Sequence, residues 1–232
     1  MTMRQQTYRD RRQLVAALVN DTAAVLSRAI KKNGRASLAV SGGSTPKPLF
    51  ERLSTLDIPW NHVVISLVDE RWVEPDANDS NERLVRVHLL QNRAAAATFI
   101  GMKNDALTAA AGESRCERRQ RQIPRPFDLV ILGMGNDGHT ASLFPGAEQL
   151  AQATDMGSRK ICMAIRPPAA SHERMTLTLP AILASRQIFI HIVGPGKREA
   201  LAAALADGTA AEMPIRYILR QSQVPVTVFW AP

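Results

Sequence analysis

The sequence predicts an α/β fold, Rossmann-like, with a mainly parallel sheet covered by helices on both faces. Short β-branched and apolar runs alternate with stretches of helical spacing along the chain. The runs are continuous in hydrophobicity, as strands buried on both faces require. Several end on Gly-rich or charged turns that feed straight into a helix. With 232 residues, 45% of them hydrophobic and 22% charged, the chain can build one extended core, and a single domain over 1–232 is expected.

Each element has its own signal. Leu14, Leu18, Thr22, Val25 and Ala29 recur every three or four residues and predict a helix over about 10–32, with Asn33-Gly34 as its stop. Residues 37–40 read as a short buried strand running into Ser41-Gly42-Gly43-Ser44-Thr45-Pro46. Pro46 suits the first turn of a helix to about Leu53, with Ser44 or Thr45 as its cap. Residues 63–68 form a strand ended by Asp69-Glu70-Arg71, and Ser80 caps a helix over 81–90. A polar helix follows at about 104–121, then an apolar strand over 127–132 broken by Gly133-Met134-Gly135. Residues 161–165, 175–179 and 188–193 are further strands. Gly194-Pro195-Gly196 opens an Ala-rich helix over 197–206, and 226–229 is the last strand.

Composition excludes several classes. No stretch approaches 18 consecutive apolar residues, so a membrane-spanning helix is not expected. Residues 1–10 are polar and basic, without the apolar segment of a secretory signal, which predicts a cytoplasmic protein. Cys116 and Cys162 lie outside any CxxC pair, so free thiols are expected and no zinc site. The net charge of +8 suits an anionic substrate as well as nucleic acid. The dense run Arg115, Arg118, Arg119, Arg121 and Arg125 lacks interleaved aromatics, and aromatics are only 5% of the chain. It reads as a solvated helix face and loop, so no nucleic-acid partner is expected.

In an open α/β sheet, ligands gather beyond the carboxyl ends of the strands. Three clusters directly follow predicted strands there. In the first, Gly42 and Gly43 let successive N–H groups converge on one anion, and Ser44 and Thr45 add hydroxyl donors. An ordinary capped strand–helix turn fits these residues equally well. In the second, Arg71 at a strand end is placed to hold a phosphate, a carboxylate or a developing oxyanion, although Asp69-Glu70-Arg71 also reads as solvated charge. The third is Gly133-Met134-Gly135-Asn136-Asp137-Gly138-His139-Thr140. Asp137 flanks His139 closely enough to share a hydrogen bond and orient its ring, and a histidine moves protons near neutral pH. A capping Asp beside a buried, satisfied His is the alternative. Arg174 and Lys197 are candidate phosphate partners. His62, His88, His172 and His191 are scattered, show no metal-ligand spacing and read as structural, with a reservation for His172 near Arg174. There is no GxSxG elbow and no Walker loop, and the GxGxxG spacing at 133–138 is not read as a Rossmann dinucleotide fingerprint.

These segments resemble the 6-phosphogluconolactonase family, which is related to glucosamine-6-phosphate deaminase within the sugar-phosphate isomerase/deaminase-like superfamily. The resemblance rests on Ser-Gly-Gly-Ser-Thr-Pro at 41–46, Asp-Glu-Arg-Trp-Val at 69–73, Asp-Ser-Asn at 79–81, the run 127–146 and Arg-Met-Thr-Leu-Thr at 174–178. Arg71-Trp72 and the continuation Thr-Ala-Ser-Leu-Phe-Pro at 140–145 set the chain apart from the deaminases, which tend to carry Tyr after Asp-Glu. Glu74 departs from the Pro often found there in lactonases.

The resemblance implies hydrolysis of 6-phospho-D-glucono-1,5-lactone in the oxidative pentose phosphate pathway, without metal or organic cofactor. It implies that Gly42, Gly43, Ser44 and Thr45 hold the phosphate with Arg174 and Lys197, that His139 activates water, that Asp137 orients His139, and that Arg71 steadies substrate or oxyanion. Asp69 and Asn136 are further members of the implied site. The implied partner is this small molecule, with no membrane or nucleic acid, on a monomer or weak homo-oligomer. A deaminase-like enzyme and a non-catalytic sugar-phosphate sensor are the alternatives.

Overall fold

The computed structural model describes residues 3–169 and 171–232. Strand β1 (Arg4–Thr7) leads into α1 (Arg11–Asn33). Asp10 caps α1 by accepting from Gln13 N at 2.8 Å, and Gly34 ends it in the left-handed region at φ 73°. Both limits match the sequence signals within a residue. Next come β2 (Ala36–Val40), α2 (Lys47–Ser54), β3 (Val63–Leu67), β4 (Asp69–Arg71) and α3 (Asn81–His88). Then follow β5 (Thr98–Ile100), α4 (Ala109–Gln120), β6 (Leu129–Leu132), α5 (Leu150–Ala153), β7 (Cys162–Ile165) and β8 (Arg174–Leu177). The chain closes with α6 (Leu179–Leu183), β9 (Ile188–Val193), α7 (Pro195–Leu205), α8 (Ile215–Leu219) and β10 (Val226–Ala231).

Seven strands form one sheet in the order β1-β10-β9-β6-β2-β3-β5, every neighbouring pair parallel. Helices flank it, which is why β2 and β6 are buried at every residue and read as unbroken apolar runs. Phe50, Trp60, Phe127, Phe189 and Phe229 are the largest buried side chains, and Phe189 meets Phe229 edge-on at 5.0 Å. From β2 the chain winds outward through β3 to β5. From β6 it winds the opposite way through β9 to β10. The direction of winding therefore reverses between β2 and β6, and a crevice opens at their carboxyl ends.

A second sheet, β4-β8-β7, is antiparallel and was not foreseen. Asp69-Glu70-Arg71 is itself a strand in it, not a turn after β3. The predicted strand at 175–179 is β8, which stops at Leu177; Thr178 then caps α6 through Ala181 N. Thr178 and Pro180 are ordinary helix-start residues, hidden in the sequence by the apolar run around them. β1 and β5 escaped notice because edge strands need little hydrophobicity, and β1 is largely exposed. The polar helix at about 104–121 narrows to Ala109–Gln120, capped by Thr108. Cys116 and Cys162 are free and buried. The Arg run is mostly exposed as expected, except that Arg125 lies half-buried over the Phe127 ring at 4.4 Å.

Candidate active site

The loops after β2 and β6 are tied together by Ser41. Its N–H and its hydroxyl both donate to the Ile131 carbonyl at 3.0 Å, and its Oγ accepts from Gly133 N at 2.9 Å. Beyond Ser41, the N–H groups of Gly42, Gly43, Ser44 and Thr45 have no acceptor among the described residues. Pro46 occupies the cap position of α2 and no side chain caps that helix. Ser44 and Thr45 are therefore not caps, contrary to one sequence reading, and their hydroxyls remain available to a ligand. A Cβ on Gly42 would lie 1.7 Å from Asn81 Oδ1, so only glycine lets the loop pack this closely against α3.

The loop after β6 presents His139. Its Nδ1 lies 2.6 Å from Asp137 Oδ1, and its backbone N–H donates to the same oxygen at 3.1 Å. With Asp137 accepting the Nδ1 proton, Nε2 is left with its lone pair free. Burial pulls the Asp137 carboxyl up, but the hydrogen bond from the His139 N–H and the His139 ring outweigh it and hold the group below the usual carboxylate value. Gly135 passes so close that a Cβ would sit 2.1 Å from His139 Nδ1. The Phe144 ring packs on the imidazole at 4.5 Å. From below, Thr140 Oγ1 holds the Gly133 carbonyl at 2.8 Å, and Ile215 N at the start of α8 holds the Gly138 carbonyl at 2.8 Å.

β4 supplies the third wall. Asp69 is buried and accepts from Ser142 Oγ at 2.6 Å, which joins β4 to the His139 loop. Arg71 faces the cleft and donates from Nη1 to the Asp79 carbonyl at 2.6 Å. Glu70 is fully buried and accepts from Arg71 N, Asn81 N and Glu82 N at 2.7–2.8 Å and from Ser80 Oγ at 3.1 Å. It thereby clamps β4 to the first turn of α3. Burial pushes its carboxyl up to about 7, against the pull of those backbone donors. Ser80 is the cap of α3, as predicted, and Asn81 Nδ2 donates to the Asp69 carbonyl at 2.9 Å.

Together these walls enclose a cleft of about 360 Å³. It is lined by Gly42, Gly43, Ser44, Thr45, Asp69, Arg71, His139 and Lys197. Burial draws the Lys197 ammonium below its usual value while Asp137 pulls it back, which places the two groups in one field. Arg174 does not line the cleft; it pairs across the sheet with Arg71 and is buried. Burial, then the neighbouring Arg71, lower its pKa, and its Nη1 has no partner among the described residues. Asn136 is exposed and off the wall, so its side chain is not part of the lining.

The family model described as glucosamine-6-phosphate isomerases/6-phosphogluconolactonase matches residues 9–230. The chain belongs to that family. It is 43% identical to a 6-phosphogluconolactonase of Rhizobium meliloti (strain 1021) over 94% of both chains. It is 44% identical to one of Mesorhizobium japonicum, over 96% of this chain and 93% of the other. A solved 6-phosphogluconolactonase structure from Shewanella baltica OS155 superposes with a TM-score of 0.97 at 47% identity, covering 99% of this chain and 98% of the other.

The cleft brings the unpaired N–H groups of residues 42–45 and Lys197 together with His139, which Asp137 holds. Asn81, Ala141 and His191 also line the cleft, and the sequence reading assigned none of them a role there. Ala141 is held at φ 49°, a strained position for a residue with a Cβ. His191 was set aside as structural because it lies inside a strand, yet it stands in the cleft wall. The other three histidines do not line the cleft: His62 meets the Gly34 carbonyl, His88 meets Glu51 and His172 meets Asp79.

Proposed function

We propose that this protein hydrolyses 6-phospho-D-glucono-1,5-lactone to 6-phosphogluconate. The observation that carries the reading is His139, held by Asp137, lining the same cleft as the free N–H groups of residues 42–45. Those N–H groups, the Ser44 and Thr45 hydroxyls and Lys197 receive the phosphate. Arg174, beside Arg71 on the paired strand, adds positive potential without lining the cleft.

His139 Nε2 takes a proton from water as the water oxygen bonds to C1 of the lactone. The carbonyl oxygen becomes an oxyanion, which Arg71 steadies. The tetrahedral intermediate collapses by breaking the bond from C1 to the ring oxygen. The imidazolium returns its proton to that oxygen, giving the carboxylic acid and a free hydroxyl. Asp137 holds the ring in the required tautomer and stabilises the imidazolium. Asp69 is not a proton donor in this scheme: with Ser142 it fixes β4 against the His139 loop.

A coupled assay tests the reading. The lactone is generated enzymatically from glucose 6-phosphate, and acid release is followed with and without the protein. Release well above spontaneous ring opening is expected. Ammonia release from glucosamine 6-phosphate with no effect on the lactone would replace this function with deamination.

A further inference from the structure

β9 carries His191 to the carboxyl end of the parallel sheet, where the cleft opens. Its partner on β10 is Phe229, and Leu132 at the end of β6 is level with Ile190, so His191 lies beside Gly133. The residue is 4% exposed, and neither ring nitrogen has a hydrogen-bond partner among the described residues. Burial alone pulls its pKa down to about 4, so the ring is uncharged at neutral pH. A buried polar group without a partner is costly, and a leucine would fill the space without that cost. The one conspicuous thing about the place is what shares the wall with it: residues 42–45, Lys197 and His139.

We propose that His191 is a substrate-binding residue whose uncharged ring donates one N–H to the phosphoryl group held by residues 42–45 and Lys197. The proposal rests on the reading of the cleft as a sugar-phosphate lactone site. A neutral donor adds a hydrogen bond without adding another charge to a region already holding Lys197, Arg71 and Arg174. A half-turn about the Cβ–Cγ bond exchanges Nδ1 with Cδ2 and Nε2 with Cε1, and so brings a nitrogen to each position now held by a ring carbon. The turn breaks no hydrogen bond, because neither ring nitrogen makes one among the described residues.

His191→Leu keeps the apolar volume and removes the donor. Its KM for the lactone and its Kd for 6-phosphogluconate are expected to rise by at least about tenfold, with a smaller change in kcat and a Tm equal to or above that of the wild type. His191→Asn, which retains an N–H, is expected to recover part of the affinity. Unchanged KM and Kd in a folded His191→Leu enzyme make His191 a packing residue and overturn the proposal. If that variant does not fold, the ¹⁵N resonances of the wild-type imidazole decide. A shift of a ring nitrogen on adding 6-phosphogluconate supports the contact, and an unmoved pair of resonances refutes it. A wild-type protein without lactonase activity counts against the proposed function itself, and is read before any variant is made.

Discussion

His139 and Asp137 lie two residues apart, yet their side chains meet at 2.6 Å because Gly135 leaves room for the fold-back. This pairing decides where the imidazole proton sits. His139→Ala is expected to lower kcat by about 10²–10⁴-fold with KM little changed, since it removes the proposed base and leaves residues 42–45 intact. Asp137→Asn is expected to lower kcat by at least about tenfold, because a carboxamide can donate to Nδ1 and move the ring proton to Nε2. Steady-state kinetics of both variants check the pair. At this scale the sequence was informative where chemistry and loop position coincide: His139, Asp137, Arg71 and the glycines of the cradle. It gave no site role to His191, read as structural, or to Asn81, because only the sheet and α3 bring them to the cleft wall. Arg174 and Asn136, also expected in the site, do not line the cleft, because a charged or polar residue near a site need not point into it.

Glu70 shows how one residue fixes two elements. Its oxygens accept from four donors on β4 and the start of α3, so Arg71 and Asn81 are held by the same carboxylate. In Glu70→Gln the amide nitrogen displaces one oxygen, and up to two buried donors lose their acceptor. Stability is expected to fall by roughly 1–3 kcal/mol. The pH dependence has a definite sign. The folded-state pKa of about 7 lies above the ordinary 4.5, so the folded protein binds the proton more tightly than the unfolded chain. Glu70 therefore favours folding most below about pH 4.5, and this contribution declines as pH rises to about 7. Urea unfolding across that window should show the decline in wild type and its loss in Glu70→Gln. Elements with strong periodicity, such as α1, were legible almost to the residue. The antiparallel β4-β8-β7 sheet was not, because β4 is short and distant in sequence from β8 and carries no signal of that pairing.

Across the whole molecule, the arrangement follows from the reversal of winding between β2 and β6, which places the two Gly-rich loops side by side at the carboxyl ends of adjacent strands. The parallel α/β architecture was legible because buried strands are unbroken apolar runs, and the location of the site followed from it. What no sequence pattern conveys is the third wall, which β4 builds from outside the main sheet and which Ser142 and Asn81 lock in place. In the proposed function, one end of this 360 Å³ cleft grips an anion and the other moves a proton. A crystal structure of the protein with bound 6-phosphogluconate tests this division most directly. The phosphate should lie on the N–H groups of residues 42–45, with the new carboxylate within hydrogen-bond distance of His139 Nε2. A product bound with its carboxylate remote from His139, or with residues 42–45 unengaged, would contradict it.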